Sequence, residues 1–301
     1  MKSSAILFPC EPFEPRQVDG AFAEEREAAL SAGFSVGLFD HTLIVGGQAE
    51  EAVRRVRVQG PAIYRGWMLT VPQYAVLYDE LSRRDVQLGN SPERYAFCHE
   101  LPNSYEVLKG ETPRSVWCAI QGEADFAAIR ACAAQLGAGG AVLKDYVKSQ
   151  KHYWNEACYI PDATDGERVE AVVRRFLELQ GPELNGGLVF RSYVPLKILG
   201  AHPQSGMPLA AEFRSFWLNG ELVLSHKYWA ELTSFEAELP LDWMKSLVRQ
   251  IDSSFFTMDV AMREDGTWVV IELGDGQVAG LPSQELAHDF YRALYGAVAP
   301  A

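Results

Sequence analysis

The chain has 301 residues, with 27 Lys and Arg against 40 Asp and Glu for a formal net charge of −13, and 48% of its residues are apolar. This length and balance suit a globular protein with more than one core. They exclude a general polyanion binder, whose affinity would rest on clustered Lys and Arg, but leave room for a local basic pocket.

Strand-like and helix-like segments alternate first. Ser4 to Phe8 reads as a short apolar strand, followed by a turn region with Pro9, Pro12 and Pro15. Residues 19–32 form a helix opening at Asp19 and closed by Gly33, and Phe34 to Phe39 a second strand. Ala62 to Trp67 is a third strand, Val71 to Arg84 a helix and Val86 to Gly89 a short strand. Such alternation predicts a parallel sheet of the Rossmann-like class. No G-x-G-x-x-G follows the first strand, so a dinucleotide fingerprint is absent.

A Pro-bounded loop over Leu101 to Pro113 leads into a strand at Ser115 to Ile120. A helix over Ala124 to Leu136 aligns Phe126, Ile129, Ala133 and Leu136, and Gly137, Gly139 and Gly140 turn the chain into a strand at Ala141 to Val147. The next helix, Gly166 to Gln180, aligns Val169, Val172, Phe176 and Leu179. From about residue 185 antiparallel strands dominate, closed by a helix over Ser283 to Tyr295.

Two hairpins carry the clearest chemistry. In the second, a two-residue turn at Asp265-Gly266 pairs Met262 with Val269, Val260 with Ile271 and Asp259 with Glu272. Met258, Val260, Met262, Val269, Ile271 and Leu273 then form an apolar face, with the two acids opposite each other on the other face. Like charges in register destabilise a sheet, so the pair invites a divalent cation or a shared proton. The alternative is a solvated hairpin whose acids both face water. Oxygen donors without His or Cys favour Mg²⁺ or Mn²⁺ over zinc, and Asp275 in the following Gly274-Asp275-Gly276 loop offers a further oxygen.

The first hairpin turns at Asn219-Gly220 and by the same counting gathers Glu212, Arg214, Ser225 and Lys227 on one face. That patch is either a functional cluster or a surface charge ladder. Upstream, Val189, Arg191 and Tyr193 share a strand face ahead of Pro195, and Lys144 and Lys148 share one with Val142 and Tyr146. A lysine emerging from an apolar strand beside a Gly-rich turn can reach a phosphate, although an amphipathic edge strand has the same pattern. No G-x-x-x-x-G-K-[ST] is present, so a P-loop is excluded.

Basic side chains on strands of two modules, with an acidic pair able to hold Mg²⁺, suggest a nucleoside triphosphate held between sheets. In its order of elements the chain resembles the ATP-grasp superfamily, and in wording its arginine-and-two-lysine clade. The segments carrying the likeness are IYRGWML near residue 65, LKDYVKS near 145, FRSYVPL near 191, AAEFRSFWLNGEL near 212 and MDVAMREDGTWVVIELGDGQVAGLP at 258–282. The resemblance implies an α/β and α+β chain. A Rossmann-like leading domain (1–98) would precede a two-lobed ATP-grasp fold, with a small lobe (99–182) and a large lobe (183–301) clasping Mg-ATP.

Carried over residue by residue, the resemblance makes Lys144 the small-lobe lysine on the ATP phosphates, with Arg114 and Lys148 as further basic contacts. Arg191 to Leu196 would be the hinge, placing Ser192, Tyr193 and Val194 along the adenine and Arg191 near the reacting groups. Glu212 would face the ribose or an amine, while Arg214 and Lys227 would face the phosphates or an acylphosphate. Asp259 and Glu272 would hold the magnesium. The superfamily's usual asparagine two residues past the glutamate is here Gly274, which leaves Asp275 as the nearest substitute. Arg65 could bind an acceptor carboxylate, or be a surface arginine at a strand end.

The activity implied is ATP-dependent ligation of a carboxylate to an amine or another nucleophile through an acylphosphate. A small-molecule kinase or a catalytically inactive nucleotide-binding module remains an alternative. The substrate pair, small molecules or a peptide, is left open, and nothing in the sequence sets an oligomeric state. Neither general nucleic-acid binding nor a membrane partner is expected. The apolar run at Ala5 to Phe8 is too short for a signal-peptide core, and no stretch approaches the ~18 apolar residues of a membrane span. Cys10, Cys98, Cys118, Cys132 and Cys158 are scattered and never spaced C-x-x-C, which fits free thiols in the cytoplasm.

Overall fold

The computed structural model describes residues 4–202, 206–229 and 237–298. Strands β1 (Ala5–Pro9), β2 (Ser35–Phe39), β3 (Gly60–Tyr64) and β4 (Val86–Leu88) form one parallel sheet in the order β2-β1-β3-β4. Every residue of β1 is buried, as a central strand covered on both faces requires. The helix Ala23–Ala32 ends at Gly33 with φ +104°, the left-handed cap that glycine adopts without strain. Thr70 and Gln73 form a capping box that starts the helix Val71–Ser82.

The predicted loop at Leu101 to Pro113 is largely helical: Leu101–Leu108 follows another helix, Pro92–His99. Pro102, at the start of the expected loop, stands instead in the first turn of its helix, as Pro92 does in the preceding one, where a missing N–H breaks no intrahelical bond.

The second sheet contains β5 (Ser115–Ala119), β6 (Ala141–Asp145), β7 (Tyr159–Ile160) and β8 (Gly187–Ser192), antiparallel in the order β5-β8-β6-β7. Helices Phe126–Ala134 and Gly166–Gln180 cover one face, packing Ile129, Val169, Val172 and Phe176 on Leu143, Leu188 and Phe190. Because β8 lies between β5 and β6, the second sheet extends past the boundary expected at 182/183.

β9 (Ile198–Ala201) and β10 (Pro208–Ala210) form a small antiparallel pair. The third sheet follows, with β11 (Glu212–Leu218), β12 (Glu221–Lys227), β13 (Phe255–Met262) and β14 (Trp268–Asp275) in the order β12-β11-β13-β14. The C-terminal helix Ala287–Val298 sets Phe290, Tyr291 and Leu294 against Ile6, Phe8 and Phe34 on one side and Phe216 and Phe255 on the other. The parallel sheet and the third sheet therefore share a core. Among the described residues no helix is long and apolar enough to cross a membrane.

Both hairpins depart from simple counting. In β11–β12 the register slips beyond Phe216, so Phe213 faces Lys227 and Arg214 faces His226. The extra residue of this bulge reverses which side chains share a face. In β13–β14 the turn is one residue longer than expected, pairing Met262 with Trp268, and a slip past Asp259 restores the count. Asp259 is thus opposite Glu272 as expected, whereas Val270, not Ile271, pairs with Val260.

Candidate active site

A cleft of about 210 Å³ lies between the second and third sheets. Its second-sheet wall follows from strand alternation: Val142 and Lys144 leave β6 on the face opposite the helices, and Arg191 on β8 is in register with Val142. Arg191 is 8% exposed; it donates to the Ile271 carbonyl at 2.6 Å and Thr112 Oγ1 at 2.9 Å, and its Nε has no partner. Ser192, Tyr193 and Val194 line the same cleft.

The third sheet presents Glu212 and Arg214 from β11, Asp259 from β13 and Glu272 from β14 on one face. Arg214 grips Asp259 with two parallel hydrogen bonds, 2.9 and 2.7 Å long, and lies 4.7 Å over the Tyr228 ring. Lys144 reaches across the cleft to Glu272 Oε1. Burial pushes the Glu272 carboxyl upward, but Lys144 and the guanidiniums of Arg214 and Arg191 outweigh it and hold Glu272 below its usual value. Burial and the Asp259 charge push the Glu212 carboxyl up to about 8, against Lys151 and Arg214.

Lys151 is a cleft residue that the sequence reading did not single out. Its ammonium donates to the Tyr228 hydroxyl at 3.2 Å and lies 5.1 and 4.9 Å from the Tyr228 and Trp229 ring centres. Trp229 in turn donates to Glu212 Oε2 at 3.1 Å. Lys151 sits in a 3-10 turn beyond the strand, where alternation gives no direction. Its spacing among apolar residues therefore carried no signal.

Four expected site residues are placed elsewhere. Arg65 is 1% exposed and locked by Glu25, with its Nη1 donating to the Gly276 and Ala279 carbonyls at 2.5 and 2.7 Å. It has no surface to offer a substrate. Arg114 is exposed and donates to the Gln135 and Leu136 carbonyls, at the end of the helix Phe126–Ala134. The β11–β12 bulge carries Lys227 to the face of Phe213 and puts Tyr228 beside Arg214 in its stead. Asp275 leaves β14 on the face opposite Glu272, where it accepts from Asn90 Nδ2 at 2.6 Å and from Gln277 N and Nε2 at 2.9 and 3.1 Å. It is fully buried, and burial pushes its carboxyl up to about 7. A fifth, Lys148, is exposed and lies outside the cleft, on the far side of Ser149.

Asp259 and Glu272 offer an in-register pair of hard oxygen donors that fits a magnesium ion sharing a nucleotide's phosphate oxygens. Among the described residues no third Asp, Glu, His or Cys joins them as a metal-holding group.

The family model described as "ATP-grasp domain, R2K clade family 3" matches residues 135–294. A RimK domain ATP-grasp protein from Sphaerobacter thermophilus superposes with TM-score 0.62 at 14% identity, covering 98% of this chain and 99% of its own. D-alanine–D-alanine ligase from Bacillus anthracis, complexed with ATP, gives 0.59 at 12% identity, covering 98% and 94%. The ATP-grasp ligase PsnB, complexed with a precursor peptide and AMPPNP, gives 0.56 at 12%, covering 99% and 96%. No curated protein matches the chain in sequence. With more than half its length matched by the family model and its whole length by this fold, the chain belongs to the ATP-grasp domain family, R2K clade family 3.

Proposed function

We propose that the protein is an ATP-dependent ligase that joins a carboxylate to an amine or a related nucleophile through an acylphosphate. The observation that carries this reading is the facing of Lys144 and the Asp259–Glu272 pair across one cleft. Lys144, Lys151 and Arg191 supply positive charge for the phosphates from the second-sheet side. Ser192 to Val194 lie where an adenine would run along backbone, and Glu212 faces the ribose or the incoming amine. Arg214 is placed to neutralise the acylphosphate. Bound at Asp259 and Glu272, magnesium would offset charge on the transferring phosphoryl group.

In this scheme a substrate carboxylate oxygen attacks the γ-phosphorus and ADP leaves. The nucleophile's lone pair then attacks the acyl carbon, expelling phosphate and losing its proton. The chain's own contribution is alignment and preorganised charge in a water-poor cleft. The names of PsnB and D-alanine–D-alanine ligase, both ligases, support ligation over phosphoryl transfer alone. Neither identifies the carboxylate used here. We further propose three units: a leading domain over 1–98, a small lobe that takes in β8, and a large lobe completed by the C-terminal helix.

Product analysis over a panel of carboxylates and amines tests the reading. ADP and phosphate released only when both partners are present support ligation. A stable phosphorylated product would show a kinase.

A further inference from the structure

Two residues beyond Glu272, on the same face of the third sheet, stands Gly274, paired in register with Thr257 of β13. A Cβ built on Gly274 would lie 2.7 Å from Thr257 Oγ1, closer than real Cβ contacts come. Thr257 is 1% exposed and also has Phe216 as its register partner on β11, so its short side chain cannot withdraw. The place where a side chain from position 274 would join the acidic pair is therefore filled by a neutral hydroxyl. Asp275, the next oxygen donor along the chain, is held on the opposite face by Asn90 and Gln277.

Among the described residues, Asp259 and Glu272 are the carboxylates paired in register here, and no third Asp, Glu, His or Cys groups with them as a metal-holding set. Magnesium is commonly held by one or two protein carboxylates, with phosphate oxygens and water completing the shell. A two-ion centre, with metals ~3.5–4 Å apart, needs bridging donors and further donors for each ion. Among the described residues, a second ion would have no carboxylate of its own beyond this pair. The pair is also already neutralised, Asp259 by Arg214 and Glu272 by Lys144. We infer that this site takes a single divalent cation, and that the Arg214 guanidinium supplies on the Asp259 side the positive charge a second ion would bring. This deepens the Mg-ATP reading and rests on it.

Manganese with a non-hydrolysable ATP analogue tests the inference by electron paramagnetic resonance, without turnover. One Mn²⁺ per chain with the spectrum of an isolated ion is expected, lost in Glu272→Gln. Two Mn²⁺ per chain with a spin-coupled spectrum would overturn the single-ion site while leaving nucleotide binding intact. Bound analogue with no protein-dependent Mn²⁺ would overturn it equally. Failure of the analogue to bind at all would instead remove the underlying reading, and the inference with it. The crowding is tested separately by thermal melting: Gly274→Ala is expected to lower the Tm, and Thr257→Ala in the same chain to restore most of the loss. An unchanged Tm in Gly274→Ala would show that Thr257 does not fill that space.

Discussion

At the scale of single residues, burial and pairing separate groups that look alike in the sequence. Arg65 and Arg214 are both expected to meet ligand, yet Glu25 encloses the first while the second, paired with Asp259, keeps part of its side chain exposed. Removing one partner of a buried ion pair leaves an uncompensated charge, so Arg65→Met should destabilise by about 3–5 kcal/mol. Urea denaturation would measure it. Asp275 gives a pH-dependent prediction. Its folded-state value of about 7 lies above the ordinary 3.8, so its contribution is full below 3.8 and is lost as pH rises to about 7. Asp275→Asn should flatten that decline, read as the urea midpoint against pH, while lowering stability at low pH by setting an amide against the donors Asn90 and Gln277.

At the scale of elements, most helices and strands could be read from apolar spacing and caps. The helix Gly166–Gln180 has the predicted ends, and Gly33 stops its helix as a left-handed cap. What spacing could not reveal was register. A two-residue turn correctly starts β11–β12, but a bulge at Val223, between the Trp217–Leu222 and Phe216–Leu224 pairs, sends Lys227 away and brings Tyr228 to Arg214. In β13–β14 two irregularities cancel, so Asp259 meets Glu272 although the intervening count is wrong. Bulges follow from twist and packing against β13 and the helices, which no local pattern encodes. Lys151 was missed for a related reason, since its direction is set by Tyr228 and Trp229 across the cleft. Tyr228→Phe should keep the ring but lose the 3.2 Å hydrogen bond, weakening ATP-analogue affinity less than Lys151→Met does. Isothermal titration of the two variants would rank them.

At the scale of the whole molecule, a net charge of −13 surrounds a cleft lined by Lys144, Lys151 and Arg191, with Arg214 held against its lining residues Asp259 and Tyr228. The C-terminal helix ties the parallel sheet to the sheet bearing the acidic pair, so Phe290→Ala should cost about 3–5 kcal/mol of global stability. The second sheet has a core of its own, and Lys144, Arg191 and Lys151 link it to the third sheet across the cleft. The most direct measurement of the central claim is thermal melting with Mg²⁺ and a non-hydrolysable ATP analogue. A ligand at 100 times its Kd should stabilise the wild type by about 2.7 kcal/mol, with the shift largely lost in Lys144→Met and Glu272→Gln. An unchanged wild-type Tm at saturating analogue, or an equal shift in both variants, would contradict a nucleotide site between these sheets.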